Sequence, residues 1–293
     1  MNASRAELAN RFSPEARVAP RQIARHVHGR HHGPIQRLVS PSDIGELIKP
    51  FVFLDHARVP PADSMFGMHP HSGIATLTVV LNGALVYEDT TGKAGRVEAG
   101  GLEWMKAGGG VWHDGHPVGS TPLELYQLWV ALPPAEENAP AESQYIAADE
   151  VQQVGPARVV LGQLGNATSP IRAPAGMNYL HVQLKDGAHW RYTPPPAHTV
   201  AWVAVNEGEL WTPETVAAGT MAVFEESEGA IDFIANGDTS FVLGSAIKHP
   251  HELVTGYYSV HTNRNALDRG EAEIRRIGAG LLASGRLQQA IRL

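Results

Sequence analysis

Cysteine is absent from all 293 residues, which removes disulfides, thiolate nucleophiles and cysteine-bound zinc or iron–sulfur clusters from consideration. No stretch approaches the roughly 18 consecutive apolar residues of a membrane-spanning helix. The opening MNASRAELANRFSPEARVAP lacks the continuous apolar core of a secretory leader. Positive charge is in deficit: 23 Lys and Arg stand against 30 Asp and Glu, for a formal net charge of -7. A surface that tracks a phosphate backbone is not expected, and neither nucleic acid nor membrane is an expected partner. The expectation is a cytoplasmic protein.

What the chain has in quantity is glycine (30), proline (21) and histidine (15). Short apolar runs, PFVFLDHARV, ATLTVVLNGALVYED, GRVEAGGLEWMKAG and LELYQLWVALP, are each bounded by Gly, Pro, Asn or Asp. That rhythm predicts an all-β fold of short strands and tight turns. A second series follows after the Pro/Ala/Glu-rich PPAEENAPAESQY. The two series superpose: HPHSGIATLTVVLNGAL falls on PPPAHTVAWVAVNEGEL, with Gly83 over Gly208 and Leu85 over Leu210. Two copies of one β-barrel are therefore expected. The predicted organisation is an N-terminal arm over residues 1–35, a first barrel over 36–134, a linker over 135–145, and a second barrel over 146–293. The last carries a short C-terminal helix, with Ile274, Ile277, Leu281 and Leu282 at helical spacing. The arm ends in RHVHGRHHG (His26, His28, His31, His32), which reads as a solvated tract.

The candidate site is Met68-His69-Pro70-His71-Ser72-Gly73. In a strand, residues i and i+2 share a face, so His69 and His71 can aim two ring nitrogens at one point. A third imidazole, His113, follows the glycine run 108–110, which lets the backbone pass close to another strand or a ligand. Imidazole-rich, thiolate-free sites suit Fe, Zn, Cu, Ni or Mn. Between the copies the ligands change: residues 69–71 fall on Pro194-Pro195-Pro196 and His113 on Asp232. The second barrel is expected to hold no metal. A second H-P-H, His249 to His251 before Glu252, is a weaker candidate. Trp104, Trp112 and Trp129 are expected in the barrel core or cavity lining.

FVFLDHARVPP, HPHSGIATLTVVLNG, ALVYEDTTGKAGRVEAGGLEWMKAGGGVWHDGHP and YQLWVALP together resemble the pirin family of the cupin superfamily, continuously from about residue 51 to 134. GYYSVHTNRNAL extends the likeness more loosely toward the C-terminus. The resemblance implies a bicupin, two tandem cupin-type β-barrels, whose N-terminal barrel holds one mononuclear divalent metal. Fe(II) is the first expectation, and Zn, Ni, Mn or Cu are also compatible. It places metal ligands at His69, His71 and His113, and a fourth, a glutamate, at Gly115. Here the chain departs from the family, reading HDGHP where pirins have His-Ser-Glu-Met-Pro. Ala75 likewise stands where pirins have a second glutamate. Three outcomes are compatible with that departure: His116 swinging in, three histidines completed by water, or a weak or vacant site. Asp55 and His56 match a family stretch and are expected to be a structural hydrogen-bonded pair. Gln127 matches a strand position that could touch substrate. The implied activity is that of a quercetin 2,3-dioxygenase acting on a flavonol or other phenolic or enolic compound. The alternative is a non-catalytic metal-binding regulator that partners a transcription factor or a metabolic enzyme.

Overall fold

A computed structural model describes residues 20–61 and 66–287. Strands dominate and gather into two units. One joins His31–Val151 to the chain from His249 onward; the other joins the chain up to Arg30 to Gln152–Lys248.

In the first unit a seven-stranded sheet runs in the order Glu142–Ile146, Leu102–Lys106, Ile74–Asn82, Leu123–Ala131, Phe51–Val59, Ile35–Val39 and Arg30–His32. A four-stranded sheet runs Phe66–His71, Val111–Pro117, Ala84–Asp89 and Ala94–Glu98. Ile74–Asn82 reads IATLTVVLN and is buried over its first seven positions, so both of its faces are covered. β-Branched residues make up much of that run, as a fully buried strand favours.

Three expectations about the boundaries change. The linker ends in a strand, because Glu142–Ile146 pairs with Leu102–Lys106 from Glu142↔Lys106 to Ile146↔Leu102. Its Glu137 is buried and accepts from the Thr262 N–H and hydroxyl, both at 2.7 Å. The described part of the arm also forms strands: Ile23–Val27 pairs with Met221–Phe224 of the second unit's sheet. His26 meets Glu214 there at 3.2 Å, and His28, His31 and His32 are exposed.

The third change concerns the helix, Arg264–Ala283, which belongs with the first barrel rather than the second. Asn263 caps it by accepting from the Ala266 N–H at 2.9 Å. Ile274 and Leu281 are buried as their spacing predicts, whereas Leu282 is exposed. The physical reason for its placement is Trp112. That indole, fully buried, lies against Gly278 and donates Nε1–H to the Ile274 carbonyl at 2.8 Å. A buried indole needs both a covering surface and an acceptor, and the helix supplies both.

The second unit is a nine-stranded antiparallel sheet that includes Val200–Thr212, Ile231–Ala246 and Met177–Leu184. Its interior is filled by Leu180, Val182, Tyr192, Val203, Phe233 and Phe241 among others. Asp232, the counterpart of His113, accepts from Arg191 at 2.6 Å and faces His189 at 2.9 Å.

Candidate metal centre

Register explains how the three histidines meet. Val111–Pro117 pairs antiparallel with Phe66–His71 so that His113 lies directly opposite His69 and Val111 opposite His71. His69 and His71 share a face by the two-residue strand period. Their ring centroids are 5.0 Å apart, His69 to His113 4.4 Å, and His71 to His113 5.1 Å. One ligand nitrogen from each lies within 4.8 Å of the others, and this is the one three-residue group of that kind among the described residues. The glycine run behaves as its composition suggests. Gly108, at φ +52°, passes so close to the Ala139 carbonyl that a Cβ would sit 2.1 Å from it, and Gly110 backs onto Glu273 and Ile274 of the helix.

The outer nitrogens decide which atoms face inward. His69 Nδ1 lies 2.8 Å from the Gly67 carbonyl, and His71 Nδ1 lies 3.3 Å from the Tyr258 carbonyl. A carbonyl can only accept, so both Nδ1 atoms carry the proton and both Nε2 atoms present lone pairs. His113 turns Nδ1 toward Glu103 Oε1 at 3.6 Å and Nε2 toward His69 Nε2 at 3.0 Å. At 3.0 Å the two Nε2 atoms need a proton or a cation between their lone pairs, and with the His113 proton on Nδ1, on the side of Glu103, a cation takes that place. This donor set therefore fits a divalent metal. Burial, with the neighbouring His113 adding to it, pushes His69 down to about 3. Burial followed by the charges of His69 and His113 holds His71 well below its ordinary value. Neutral imidazole is the ligating form.

The remaining candidates separate. Strand pairing is irregular between His113 and Gly115, and His116 is exposed and outside the cluster. Gly115 lines the cavity, with room for a Cβ, which would meet Leu85 Cδ1 at 3.7 Å and the Val86 carbonyl at 3.8 Å, ordinary contacts. Asp55 and His56 do not pair with each other. They face opposite sides of their strand, Asp55 gripped by Arg37 through two hydrogen bonds and His56 within 2.8 Å of Glu124. Trp104 and Trp112 are core, and Trp129 lines the cavity, stacked on Phe53 at 4.0 Å. His249 and His251 have ring centroids 5.6 Å apart, but no third ligand joins them among the described residues.

The histidines open on a cavity of about 460 Å³ within the first unit, walled by Phe53, Leu125, Trp129 and Tyr258. Across its floor runs one in-register row of polar residues: Glu103↔Thr78, Thr78↔Gln127, Gln127↔Asp55 and Asp55↔Arg37. Gln127, in this row, lines the cavity. Glu103 was not expected. The signal for it was a lone carboxylate in LEWMK, a strand whose other positions 102–105 are all apolar and buried.

The sequence model of the family described as Pirin matches residues 34–130, which include all three histidines. A Pseudomonas aeruginosa protein named "Putative quercetin 2,3-dioxygenase" is 30% identical over 256 residues, covering 80% of this chain and 88% of that one. A "Pirin-like protein" of Caulobacter vibrioides is 26% identical, covering 80% and 86%. Among solved structures, a quercetin 2,3-dioxygenase from Acinetobacter baumannii superposes with a TM-score of 0.82 at 23% identity, covering 88% of this chain and 98% of that one. The bacterial pirin YhhW of Escherichia coli, solved in complex with nickel(II), gives 0.59 at 20% identity, covering 78% and 96%. These two likenesses show a shared fold. With two β units, three inward histidines and a relative matched across most of both chains, this chain belongs to the pirin family and has its bicupin architecture.

Proposed function

We propose that the protein is a dioxygenase that uses one divalent metal, held by His69, His71 and His113, to act on a phenolic or enolic small molecule. The observation that carries this reading is the convergence of three imidazole nitrogens whose outer positions face acceptors. Fe(II) is the first candidate, and Ni(II) gains support from the nickel complex of YhhW. When bound, the metal would supply Lewis acidity and a meeting point for an oxyanion and dioxygen.

The chain's own residues account for the choice of substrate. Neutral imidazoles leave the divalent charge uncompensated in the inner sphere, which favours an anionic oxygen ligand such as a phenolate or enolate. Phe53, stacked on Trp129, offers a flat apolar wall to an aromatic ring. Gln127 lies on the floor beside the histidines and would orient a polar substituent. Tyr258, 5.6 Å from His69 and 5.7 Å from His71 between ring centroids, shields the centre from water on the other side.

Oxygen uptake tests the reading. The purified protein, loaded in turn with Fe(II), Ni(II) and Mn(II), is expected to consume oxygen with quercetin or a smaller enolic compound. Metal uptake without turnover on any such compound would contradict it and favour metal-dependent binding of a protein partner.

A further inference from the structure

We propose that Glu103 serves the metal centre as the carboxylate that position 115 does not provide, acting through His113 rather than by ligation. It is a positioning residue, and the inference rests on the metal reading above. Glu103 is 4% exposed, and its Oε1 has no hydrogen-bond partner among the described residues while lying 3.6 Å from His113 Nδ1. A buried carboxylate oxygen left unpaired is costly, so a donor belongs there, and the His113 Nδ1–H is placed to be it. That proton assignment leaves the His113 Nε2 lone pair facing His69 and His71, as ligation requires. A carboxylate on the outer nitrogen also fixes the ring and raises its basicity toward a metal.

The floor row holds Glu103 in place. Thr78 Oγ1 lies 2.8 Å from Glu103 Oε2 and 2.9 Å from Gln127 Oε1. A hydroxyl has one proton and cannot donate to both. The carboxylate takes it, and the Gln127 amide is therefore reversed, its NH2 donating to Thr78. That reversal gives the Gln127 NH2 an acceptor and leaves the amide oxygen, rather than the donor, in the position that has no hydrogen-bond partner among the described residues. Donation then runs in one direction, Gln127 to Thr78 to Glu103, with His113 donating from the other end. Direct ligation by Glu103 is disfavoured by its position on the Nδ1 side of His113, away from the converging Nε2 atoms. His116, the other candidate for a fourth group, is exposed.

Nickel affinity, measured by chelator competition at fixed pH on the full chain, tests this without relying on turnover. Glu103→Gln is expected to weaken binding by roughly 10–100-fold, the usual cost of losing an outer partner of a ligating histidine. Adding Gly115→Glu, at a position where a Cβ makes only ordinary contacts, is expected to restore most of the loss by supplying the charge directly. Gly115→Glu in the otherwise wild-type chain is the control: a gain there equal to its gain in Glu103→Gln would mean that the two carboxylates act independently, and overturns the proposal. Binding by Glu103→Gln within about threefold of wild type, or a loss that Gly115→Glu leaves unrepaired, overturns the proposal. If Glu103→Gln does not fold, Thr78→Val must weaken binding, and unchanged affinity there overturns it equally. A wild-type chain that takes up no nickel, iron or manganese would remove the metal reading as well, which separates that failure from this one.

Discussion

His71 is the most constrained of the three candidate ligands at the scale of single residues. It is 1% exposed, packs edge-on against Trp129 at 4.9 Å, and faces the Tyr258 carbonyl with Nδ1. Replacing it removes one lone pair and little of the surrounding strand pairing. His71→Ala is therefore expected to lose most bound metal while its circular dichroism stays that of the wild type; stoichiometric metal in that variant would misassign the site. The same residue makes stability depend on pH when metal is withheld. Its folded value is depressed, with burial the larger cause and the neighbouring histidines the lesser. Below about 6.5 the unfolded chain binds protons that the folded chain refuses, so stability rises with pH through this window and falls as pH is lowered. The midpoint of thermal unfolding of the metal-free protein should drop between about pH 7 and about pH 5, and His71→Ala should show a shallower slope. Equal slopes would contradict the buried neutral state.

At the scale of elements, the strand that carries His113 is clamped by the helix through Trp112. Gly278 and Gly280 of that helix give opposite expectations for one substitution. Nothing lies within 4 Å of a Cβ at Gly280, whereas one at Gly278 would sit 2.7 Å from Trp112 Cζ2. Gly280→Ala should stabilise by about 1 kcal/mol through helix propensity. Gly278→Ala should destabilise despite the same propensity gain, because the buried indole has no room to give. Thermal melts check both, and a stabilised Gly278→Ala would show the contact to be loose. Much at this scale was legible in the sequence. The H-x-H spacing placed two imidazoles on one face through the strand period, and the glycine run signalled the close passes at Gly108 and Gly110. Gly83 and Gly208, aligned between the copies, both adopt positive φ, at 73° and 75°: Gly83 between the strands Ile74–Asn82 and Ala84–Asp89, and Gly208 at a register irregularity within Val200–Thr212. Glu103 and the floor row were not legible. They depend on cross-strand register between five strands, and periodicity within one strand carries no information about its neighbour's register.

For the whole molecule, the two ends of the chain cross the simple division into successive barrels. The segment before Arg30 adds a strand to the second sheet, and the segment after Lys248 returns to the first barrel. The boundary error has a physical source: composition marks where a chain turns, not which core an end will cover. The return reaches the histidines, since it supplies the Tyr258 carbonyl to His71 and the Ser259 hydroxyl to Ser72 at 2.8 Å. It also buries His261 between Ser72, at 3.0 Å, and Glu137, at 3.3 Å. A chain ending at Lys248 is expected to lose metal binding although every histidine ligand remains. Retained nickel affinity in that truncation would show that the return segment only covers the barrel. No described helix is long and apolar enough to cross a membrane.

X-ray absorption at the metal edge tests the ligand set most directly. Protein loaded with one equivalent of nickel or zinc should show three imidazole nitrogens at about 2.0–2.2 Å, with the multiple-scattering pattern of rings bound through Nε2. A first shell of oxygen alone, or one unchanged by replacing His69, His71 and His113 together, would contradict the account.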